Sequence, residues 1–342
     1  MAHFGGSSLD LQFVDSIIKC MNILITGGQG LIGHNVVHKL EEQGHTVVIT
    51  DTQTNYGIIP QSELIYLLSQ RSKKIRSSEV YLTDICDPVG MDRIFSKYKF
   101  DTVIHLASFP RQKVVNANPA LGSRTMSQGL LNLLELSKTY KVRKFIYISS
   151  SMVYGDFKDD VKEDYECKPQ GQYGILKLAG EWLVKDYTRR TDLVHTIIRP
   201  SAVYGPLDVE DRVISKFILR AMRGQPLQVN GAQETLDFTY VDDAADGIVA
   251  AALSDNTDNK TYNITKSHSH SLLDAANLAV KVAGKGEIIV GNRDLDFPSR
   301  GALNIDAARR DFGFDPKVDV EQGFQNYYNW LKNDPYFGID KL

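Results

Sequence analysis

From residue 22 to about residue 200, short apolar runs alternate with longer amphipathic stretches, and this rhythm constrains the fold more than any other feature. Segments of helical period, including Ile32–Gln43, Gly129–Tyr140 and Tyr173–Arg189, separate six runs that are apolar almost throughout, as strands covered on both faces are. These runs are Ile23–Thr26, Thr46–Thr50, Val80–Leu82, Thr102–His105, Lys144–Ser149 and His195–Ile198. The alternation predicts an α/β fold with a doubly wound parallel sheet.

The rhythm changes near residue 200. A helix is predicted over Arg212–Arg223, a strand over Thr235–Val241 and a helix over Asp243–Ala252, followed by two shorter helical stretches from about His268. This pattern predicts a smaller mixed α/β C-terminal lobe over the carboxyl edge of the sheet.

The predicted division of the chain follows from these two rhythms. Residues 21–199 form the sheet domain, with a return segment at about 235–265, and residues 200–234 and 266–342 form the second lobe. Residues 1–20 are expected to be a leader or a loosely held extension, because acidic residues interrupt their apolar side chains and no basic start marks a secretory signal.

Composition excludes several classes of protein. A net charge of -3 over 342 residues gives no support for binding a nucleic acid polymer, and no apolar run approaches the roughly 18 residues that span a membrane. The three cysteines lie far apart, which fits a reducing, cytoplasmic location. His268 and His270 have no third ligand in view, so no metal is predicted, and Arg71–Arg76 is interpreted as a solvated loop face.

A glycine-rich segment, Thr26–Gly33, follows the first predicted strand and opens the first helix. Gly27 permits a tight turn, Gly30 lets the backbone approach a pyrophosphate, and Gly33 lets helix and strand pack closely. The alternative is a turn that binds nothing, but the strand before it and the helix after it favour a dinucleotide site of Rossmann type. The helix N-terminus adds free N–H groups and the positive end of its dipole.

The cofactor predicted for this site is NAD. Asp51 closes the second strand 18 residues after Gly33, where a carboxylate accepts both ribose hydroxyls and repels a 2′-phosphate. Asp84 is placed to meet the adenine edge, or else caps a helix ahead of Pro88, and His105 is expected to be a packed core histidine. The predicted cofactor-binding residues are Gly27, Gly30, Leu31, Ile32, Gly33, Asp51, Asp84, Ile85, Leu106, Ala107, Ser108, Tyr173, Lys177 and Pro200.

Tyr173 and Lys177, four residues apart on a predicted helix, project from one face. A lysine ammonium beside a phenol stabilises the phenolate and lowers the tyrosine pKa from about 10 toward neutrality, so the tyrosine can take a proton from a substrate hydroxyl. The alternative, two ordinary helix-surface residues, is disfavoured because Ser149–Gly155 follows the fifth strand and brings a serine to the same reacting oxygen.

These motifs, taken in order, resemble the extended short-chain dehydrogenase/reductases, and within that group they are most similar to the NAD-dependent nucleotide-sugar epimerases. The similarity runs from about residue 22 to residue 316 and includes Asp237–Asp243. The motifs are Thr-Gly-x-x-Gly-x-x-Gly, an acidic residue, His-Leu-Ala, Ser-Ser-Ser-x-Val-Tyr-Gly, Tyr-x-x-x-Lys and Arg-Pro-x-x-Val-Tyr-Gly-Pro.

The resemblance implies a catalytic triad of Ser150, Tyr173 and Lys177, with Ser150 chosen because it lies four residues before Tyr154. It also implies a nucleotide-diphosphate sugar as substrate and a tightly held NAD that oxidises C4 of the sugar. The 4-keto sugar then rotates, and hydride returns to its opposite face. A homodimer is expected, because in the family the helix that contains Leu130–Leu136 and the helix that contains Tyr173 pair with their copies.

Differences within the family narrow the reaction. Dehydratases have Asp-Glu after the catalytic hydroxyl residue, and decarboxylases usually have a glutamate at the second position, where this chain has Ser151 and Met152. Epimerisation at C4 is therefore the predicted reaction. A nucleotide-diphosphate-sugar 4-dehydrogenase or 4-ketoreductase with the same triad remains open, and so does a non-catalytic NAD-binding regulator.

Three departures from the family pattern concern the substrate. Met126 and Ala202 replace usual asparagines, and Leu236 replaces an arginine that binds phosphate, so other side chains must hold the substrate. The alternative for each candidate arginine is a solvated surface side chain. The predicted substrate-binding residues are Arg111, Ser151, Arg212 and Arg300.

Overall fold

The computed structural model describes residues 20–76 and 78–338. Of the predicted leader, residues 1–19 lie outside the described residues. None of the helices in the described segments is long and apolar enough to cross a membrane.

A seven-stranded sheet with every neighbouring pair parallel forms the centre of the first half of the molecule. The strands of the structure are β1 (Asn22–Thr26), β2 (Thr46–Thr50), β3 (Glu79–Tyr81), β4 (Thr102–His105), β5 (Lys144–Ile148), β6 (Val194–Pro200), β7 (Val203–Tyr204), β8 (Leu227–Asn230), β9 (Thr235–Asp237), β10 (Thr239–Tyr240), β11 (Lys260–Ile264), β12 (Ser269–Ser271) and β13 (Ile288–Gly291). The order across the sheet is β11-β6-β5-β4-β1-β2-β3, which confirms the doubly wound parallel sheet.

Helices cover both faces of this sheet. The α-helices of the described segments are α1 (Leu31–Glu42), α2 (Gln61–Ser72), α3 (Pro88–Lys97), α4 (Gln112–Ala117), α5 (Pro119–Ser123), α6 (Leu130–Thr139), α7 (Gly171–Arg190), α8 (Val213–Met222), α9 (Val241–Leu253), α10 (Leu272–Ala283), α11 (Asp306–Phe312) and α12 (Val320–Asn333). A π-helical turn, Arg124–Gly129, leads into α6. Helices α1, α9 and α11 pack on one face, and α3, α6 and α7 pack on the other.

The predicted strands are apolar almost throughout because a layer of helices covers each face of the sheet. Every residue of β4 and β5 is buried, because helices on both sides remove both faces of the strand from water. All six predicted strands of the first half are present, with shifts of a few residues at their ends.

The second half has a separate apolar core. Helices α8, α10 and α12 pack together around Phe217, Ala275 and Phe324, beside the two-stranded pair of β8 and β13. The single strand predicted over Thr235–Val241 is wrong, since β9 pairs with β12 and β10 pairs with β7. The prediction of two tail helices is also wrong, because α10, α11 and α12 are present.

Parallel pairing brings the carboxyl ends of the strands to one edge of the sheet. The segments that follow β1, β2, β4, β5 and β6 therefore meet there, although they are far apart in the chain. The segment after β7, which leads into α8, closes over the same edge.

Candidate active site

A cavity of about 420 Å³ opens at this edge of the sheet. All fourteen residues predicted to bind the cofactor line it, from Gly27 after β1 to Pro200 at the end of β6. Because they come from five strand ends and two helices, their convergence depends on the sheet order described above.

The glycine-rich segment forms a tight turn under the N-terminus of α1. Gly27 has a φ of +72°, and a Cβ there would lie 2.7 Å from the backbone nitrogen of Ala107. A Cβ on Gly33 would lie 2.3 Å from the carbonyl oxygen of Gly27. The two positions exclude any side chain, so the backbone amides at the start of α1 stay open toward the cavity.

Asp51 is held at the end of β2 by the glycine segment itself. Its Oδ2 accepts a hydrogen bond of 3.0 Å from the backbone amide of Gln29, and its Oδ1 accepts one of 2.8 Å from that of Gln53. The carboxylate is therefore fixed on the cavity wall, beside the turn that contains Gly27 and Gly30.

Asp84 lies on the cavity wall and does not cap α3. Its Oδ1 accepts a hydrogen bond of 2.9 Å from the amide of Cys86, whereas Asp87 caps α3 by accepting from Val89 and Gly90. The alternative role of Asp84 as a helix cap is thus wrong.

His105 is a core histidine, as predicted. Its ring is buried at the end of β4, and Nδ1 lies 2.7 Å from Oγ1 of Thr26. Burial lowers the pKa of His105 to about 3, so the ring is neutral.

Ser150, Tyr173 and Lys177 come together where β5 ends and α7 begins. Oγ of Ser150 accepts a hydrogen bond of 3.2 Å from the amide of Met152, and the Ser150 side chain lies close enough to Tyr173 to favour the ionised form of its phenol. Nζ of Lys177 donates a hydrogen bond of 2.8 Å to the carbonyl of Ile148 and lies 5.9 Å from the centre of the Tyr173 ring. The structure therefore joins the three residues on one wall of the cavity.

The titration of this pair differs from the simple expectation for a lysine beside a phenol. Burial raises the pKa of Tyr173 above its usual value, against the opposing effects of the nearby Ser150 side chain and the charge of Arg212. Burial lowers the pKa of Lys177 to about 7. The expected fall of the tyrosine pKa is wrong for this structure, because burial disfavours the charged form of both groups.

Two of the four predicted substrate-binding residues line the cavity. Nη2 of Arg111 lies 2.5 Å from Oδ2 of Asp211, so this guanidinium is already paired. Nε of Arg212 lies 3.7 Å from Oδ2 of Asp208, which is a looser contact. The positive charge of Arg212 also acts on Tyr173, where it favours the ionised phenol.

Ser151 and Arg300 do not line the cavity. Ser151 is fully buried behind the wall and donates a hydrogen bond of 3.2 Å to Oγ of Ser201, because the 3₁₀ turn after Ser150 points it inward. The Nε atom of Arg300 is buried and has no hydrogen-bond partner within residues 20–76 and 78–338. Burial and the nearby charge of Arg212 lower the pKa of Arg300 to about 10, so the solvated alternative is also wrong.

The three departures from the family pattern have different surroundings. Met126 is buried in an apolar cluster with Phe109 and Val114, so it contributes packing. Ala202 lines the cavity with a φ of +35°, and Leu236 lies on β9.

Arg71 is a site residue that the sequence interpretation missed. It is buried on α2 and donates a hydrogen bond of 2.7 Å to the carbonyl of Leu207 and one of 3.2 Å to that of Gln29. It thereby joins the glycine segment to the loop before α8, and the predicted solvated face is wrong for this residue. The available signal was helical spacing, since Arg71 shares the buried face of α2 with Leu64 and Leu67.

No cluster of three or more histidine, cysteine, aspartate or glutamate side chains suited to a metal ion occurs in the described segments. A doubly wound parallel sheet with a serine after one strand, and a tyrosine and a lysine one turn apart on a helix beside it, is the arrangement of the short-chain dehydrogenase/reductases. Residues 23–265 match the NAD dependent epimerase/dehydratase family, and the chain belongs to this family.

Known proteins that this chain is similar to share its whole architecture. A putative UDP-glucose 4-epimerase of Methanocaldococcus jannaschii is 28% identical over 91% of this chain and 99% of its own length. The crystal structure of a UDP-glucose 4-epimerase of Thermotoga maritima with UDP-glucose has a TM-score of 0.83, at 28% identity over 91% of this chain and 99% of that one. A UDP-glucuronic acid 4-epimerase of Bacillus cereus, in complex with UDP-glucuronic acid and NAD, has a TM-score of 0.84 with the same identity and coverage.

Proposed function

We propose that this protein is an NAD-dependent nucleotide-sugar epimerase that inverts C4 of the sugar through a transient 4-keto sugar. The observation that carries the proposal is the convergence of Ser150, Tyr173 and Lys177 on the wall of a cavity that also contains the glycine turn and Asp51. The relatives named as 4-epimerases support the same reaction.

The residues present fit NAD. The turn at Gly27 and Gly33 has no room for a Cβ, and the start of α1 offers amide groups for a pyrophosphate. Asp51 presents a fixed carboxylate at the end of the second strand, about as far along the chain from the glycine segment as the acidic residue that binds the ribose in dinucleotide sites. When bound, NAD supplies the acceptor, and later the donor, of the hydride at C4.

The chain's own residues handle the proton of the C4 hydroxyl. Tyr173, as the phenolate, accepts that proton, and Ser150 on the same cavity wall donates a hydrogen bond to the reacting oxygen. Lys177, fixed by the carbonyl of Ile148, supplies a positive charge near the phenol when it is protonated.

The positions after Ser150 support epimerisation over dehydration or decarboxylation. Ser151 is buried and bonded to Ser201, and Met152 has a thioether that cannot transfer a proton. The non-catalytic alternative has no support, since the relatives are named as enzymes.

Arg212 and Arg300 are proposed to bind the diphosphate of the nucleotide. Their charges are close enough to lower the pKa of Arg300, and the Nε of Arg300 lacks a hydrogen-bond partner among the described residues. Two neighbouring guanidinium groups without a shared carboxylate favour an anionic ligand. Arg111 is proposed to position the loop before α8 through its pair with Asp211.

The chain is proposed to consist of two lobes with the boundaries predicted above. The apolar clusters on the two faces of the seven-stranded sheet support a nucleotide-binding lobe. Residues 235–265 return to this lobe, because β11 is the edge strand of the sheet, next to β6. The core of α8, α10 and α12 supports a second lobe for the substrate. The cytoplasmic location stays a prediction.

A homodimer is proposed through the outer faces of α6 and α7. Ile175 and Trp182 are seven residues apart and therefore lie on one side of α7. Their side chains are 51% and 67% exposed, which is unusual for large apolar residues. Sedimentation equilibrium of the wild type and of Trp182→Glu tests this: the proposal requires a dimer that the substitution weakens, and a monomeric wild type overturns it.

The reaction itself is tested with purified protein and a panel of UDP-, GDP-, CDP- and dTDP-sugars, with the products identified by NMR. Inversion at C4 without net formation of NADH supports the epimerase. Stoichiometric NADH or an accumulated keto sugar supports a 4-dehydrogenase or 4-ketoreductase instead. No turnover of any sugar, in protein that binds NAD, contradicts the proposal.

A further inference from the structure

Lys177 has a charged neighbour that the reaction described above does not use. Glu181 lies one helical turn further along α7, so its side chain and that of Lys177 occupy the same face of the helix. Glu181 is only 1% exposed, which places a carboxylate deep in the protein next to the catalytic residues.

Both oxygens of Glu181 are fixed from the neighbouring strands. Oε1 accepts hydrogen bonds from Nε of Arg199 at 2.9 Å and from Oγ of Ser149 at 2.5 Å, and Oε2 accepts one from Nη2 of Arg199 at 2.6 Å. The bidentate pair with Arg199 anchors the carboxylate to β6, and the bond from Ser149 anchors it to the end of β5. Ser149 directly precedes Ser150, so Glu181 fixes the residue next to the catalytic serine.

The arginine of this pair is itself held in place. Nη1 of Arg199 donates a hydrogen bond of 2.8 Å to the hydroxyl of Tyr154 and one of 2.9 Å to the carbonyl of Glu163. Tyr154 in turn donates to Oδ1 of Asn263 at 2.8 Å, so the network reaches β11 at the edge of the sheet. Such a fully bonded buried network gives the carboxylate one position.

We propose that Glu181 is a positioning residue for the reaction: its carboxylate fixes the end of β5 that presents Ser150 and places a negative charge one helical turn from Lys177. This inference rests on the proposed function. An ion pair of this kind adds little net stability when compared with apolar residues, so the proposed role is tested through its neighbours and not through stability.

The groups around Lys177 agree with this role. Tyr147 on β5 has its ring 5.3 Å from Nζ of Lys177, and His105 on β4 is neutral. Tyr173 lies one turn before Lys177, and Arg199 on β6 faces Glu181. Among the described residues, the negative charge of Glu181 is what opposes burial at Lys177, where burial lowers the pKa to about 7.

The direct test measures the protonation of Lys177 in the full-length protein. Lysine labelled with ¹³C at Cε is titrated by NMR, and the Lys177 signal is assigned by its absence in Lys177→Met. In Glu181→Gln we expect the Lys177 pKa to fall by about one unit, since the carboxylate is lost and the charge of Arg199 is no longer balanced. An unchanged Lys177 titration overturns the proposal, whether or not the protein proves to be an epimerase.

The second readout is the pH dependence of turnover. The alkaline limb of kcat is expected to move to lower pH in Glu181→Gln by the same amount as the Lys177 pKa. If the alkaline limb of kcat in Glu181→Gln stays at the wild-type pH while the Lys177 pKa falls, the proposal is also overturned. A wild type that turns over no nucleotide sugar contradicts the proposed function instead, and the NMR titration still decides the role of Glu181.

Two further variants separate charge from position. Ser149→Ala removes one hydrogen bond and no charge, so kcat is expected to fall about fivefold with the alkaline limb unmoved. If Glu181→Gln fails to fold, Glu181→Gln/Arg199→Gln removes both charges, and the Lys177 pKa is expected to fall by less than one unit because no unbalanced Arg199 charge is left behind. An unchanged Lys177 pKa in this double variant overturns the proposal.

The matched control is Asp258→Asn. Asp258 faces another buried lysine, Lys144, at 2.8 Å, but at the opposite end of β5. Its substitution removes a carboxylate of the same kind without touching the network of Glu181. The Lys177 titration is expected to stay at its wild-type position in this variant, and an equal shift there overturns the proposal.

Discussion

The sheet side and the loop side of the cavity are built from opposite kinds of contact. On the sheet side, glycines and backbone amides pack so closely that a Cβ on Gly33 would lie 2.3 Å from a carbonyl oxygen. On the loop side, before α8, side chains of opposite charge form pairs: Arg111 pairs with Asp211, and Arg212 pairs with Asp208.

The difference between backbone contacts and pairs of charged side chains indicates how one cavity could bind two ligands of different kinds. Backbone contacts recognise a shape and tolerate no added atom, which suits a cofactor that never varies. Pairs of side chains recognise charge and can be replaced one at a time, which suits a substrate that differs among relatives. The predictions below test this contrast, beginning with the largest expected effect.

The largest effect is expected at Tyr173, which lines the cavity between the two sides and is the proposed acceptor of the substrate's proton. Tyr173→Phe removes the group that exchanges the proton, so kcat should fall about 10³-fold. The affinity for NAD, measured by equilibrium dialysis, should stay within about twofold, since the ring remains. Turnover within tenfold of the wild type would show that the proton is transferred by another group.

A smaller but still large effect is expected from adding one methyl group on the sheet side. Gly33→Ala places a Cβ against the carbonyl of Gly27, and neither backbone segment can give way without moving α1. Urea unfolding should show a loss of about 2–3 kcal/mol, together with weaker binding of NAD.

The control for this prediction is Gly30→Ala in the same turn. There the nearest atom to the added Cβ, the same carbonyl oxygen of Gly27, lies 3.2 Å away. The loss of stability should therefore be smaller than for Gly33→Ala. Equal losses would contradict the view that close packing of backbone governs this side.

A buried histidine on the helix that follows the glycine turn makes stability depend on pH. Burial lowers the pKa of His34, on α1, to about 3, so the folded state binds fewer protons than the unfolded state below the unfolded value of 6.5. Stability from this residue is therefore lost as the pH falls from about 6.5 toward 3, by about 2 kcal/mol at pH 5. Asp237 on β9 has the opposite sign, because burial raises its pKa to about 7.

This prediction is tested by urea unfolding of the wild type and His34→Gln at pH 7 and pH 5. The variant should lose less stability than the wild type between the two pH values, while its loss at pH 7 reports packing alone. Identical slopes would show that His34 is protonated without cost in the folded state.

The smallest effect is expected on the loop side. Arg212→Gln removes one of two proposed phosphate contacts, so KM for the nucleotide sugar should rise about tenfold while kcat changes little. The comparison variant is Arg223→Gln, whose guanidinium pairs with Glu210 at 2.5 Å outside the cavity lining and should leave KM near the wild-type value. If Arg212→Gln mainly lowers kcat, the guanidinium acts on Tyr173 and not on phosphate.

All fourteen residues predicted to bind the cofactor line the cavity, but only two of the four predicted to bind the substrate do. Gly27 and Asp51 stand in contiguous motifs at strand ends and Lys177 stands on α7, and the order of the sheet brings these segments together. Ser151 was expected on the cavity wall, yet a single 3₁₀ turn after β5 directs it to Ser201 instead.

Arg71 shows why the surroundings of a buried charged side chain resist prediction from sequence. Its sequence neighbours are polar and charged, which is typical of a solvated segment, but α2 buries it between Gln29 and Leu207. Those two carbonyls belong to segments about 40 residues before it and well over 100 residues after it, so no local pattern connects them.

What the sequence by itself determined was the parallel sheet, the glycine turn and the set of strand-end side chains, because each depends on local periodicity or on a residue without a Cβ. Only the tertiary structure decided which arginines reach the cavity and how the buried pair of Glu181 and Arg199 meets Lys177 and Ser149. The physical reason is that a charge buried in a protein takes its position and its protonation from groups brought close by folding.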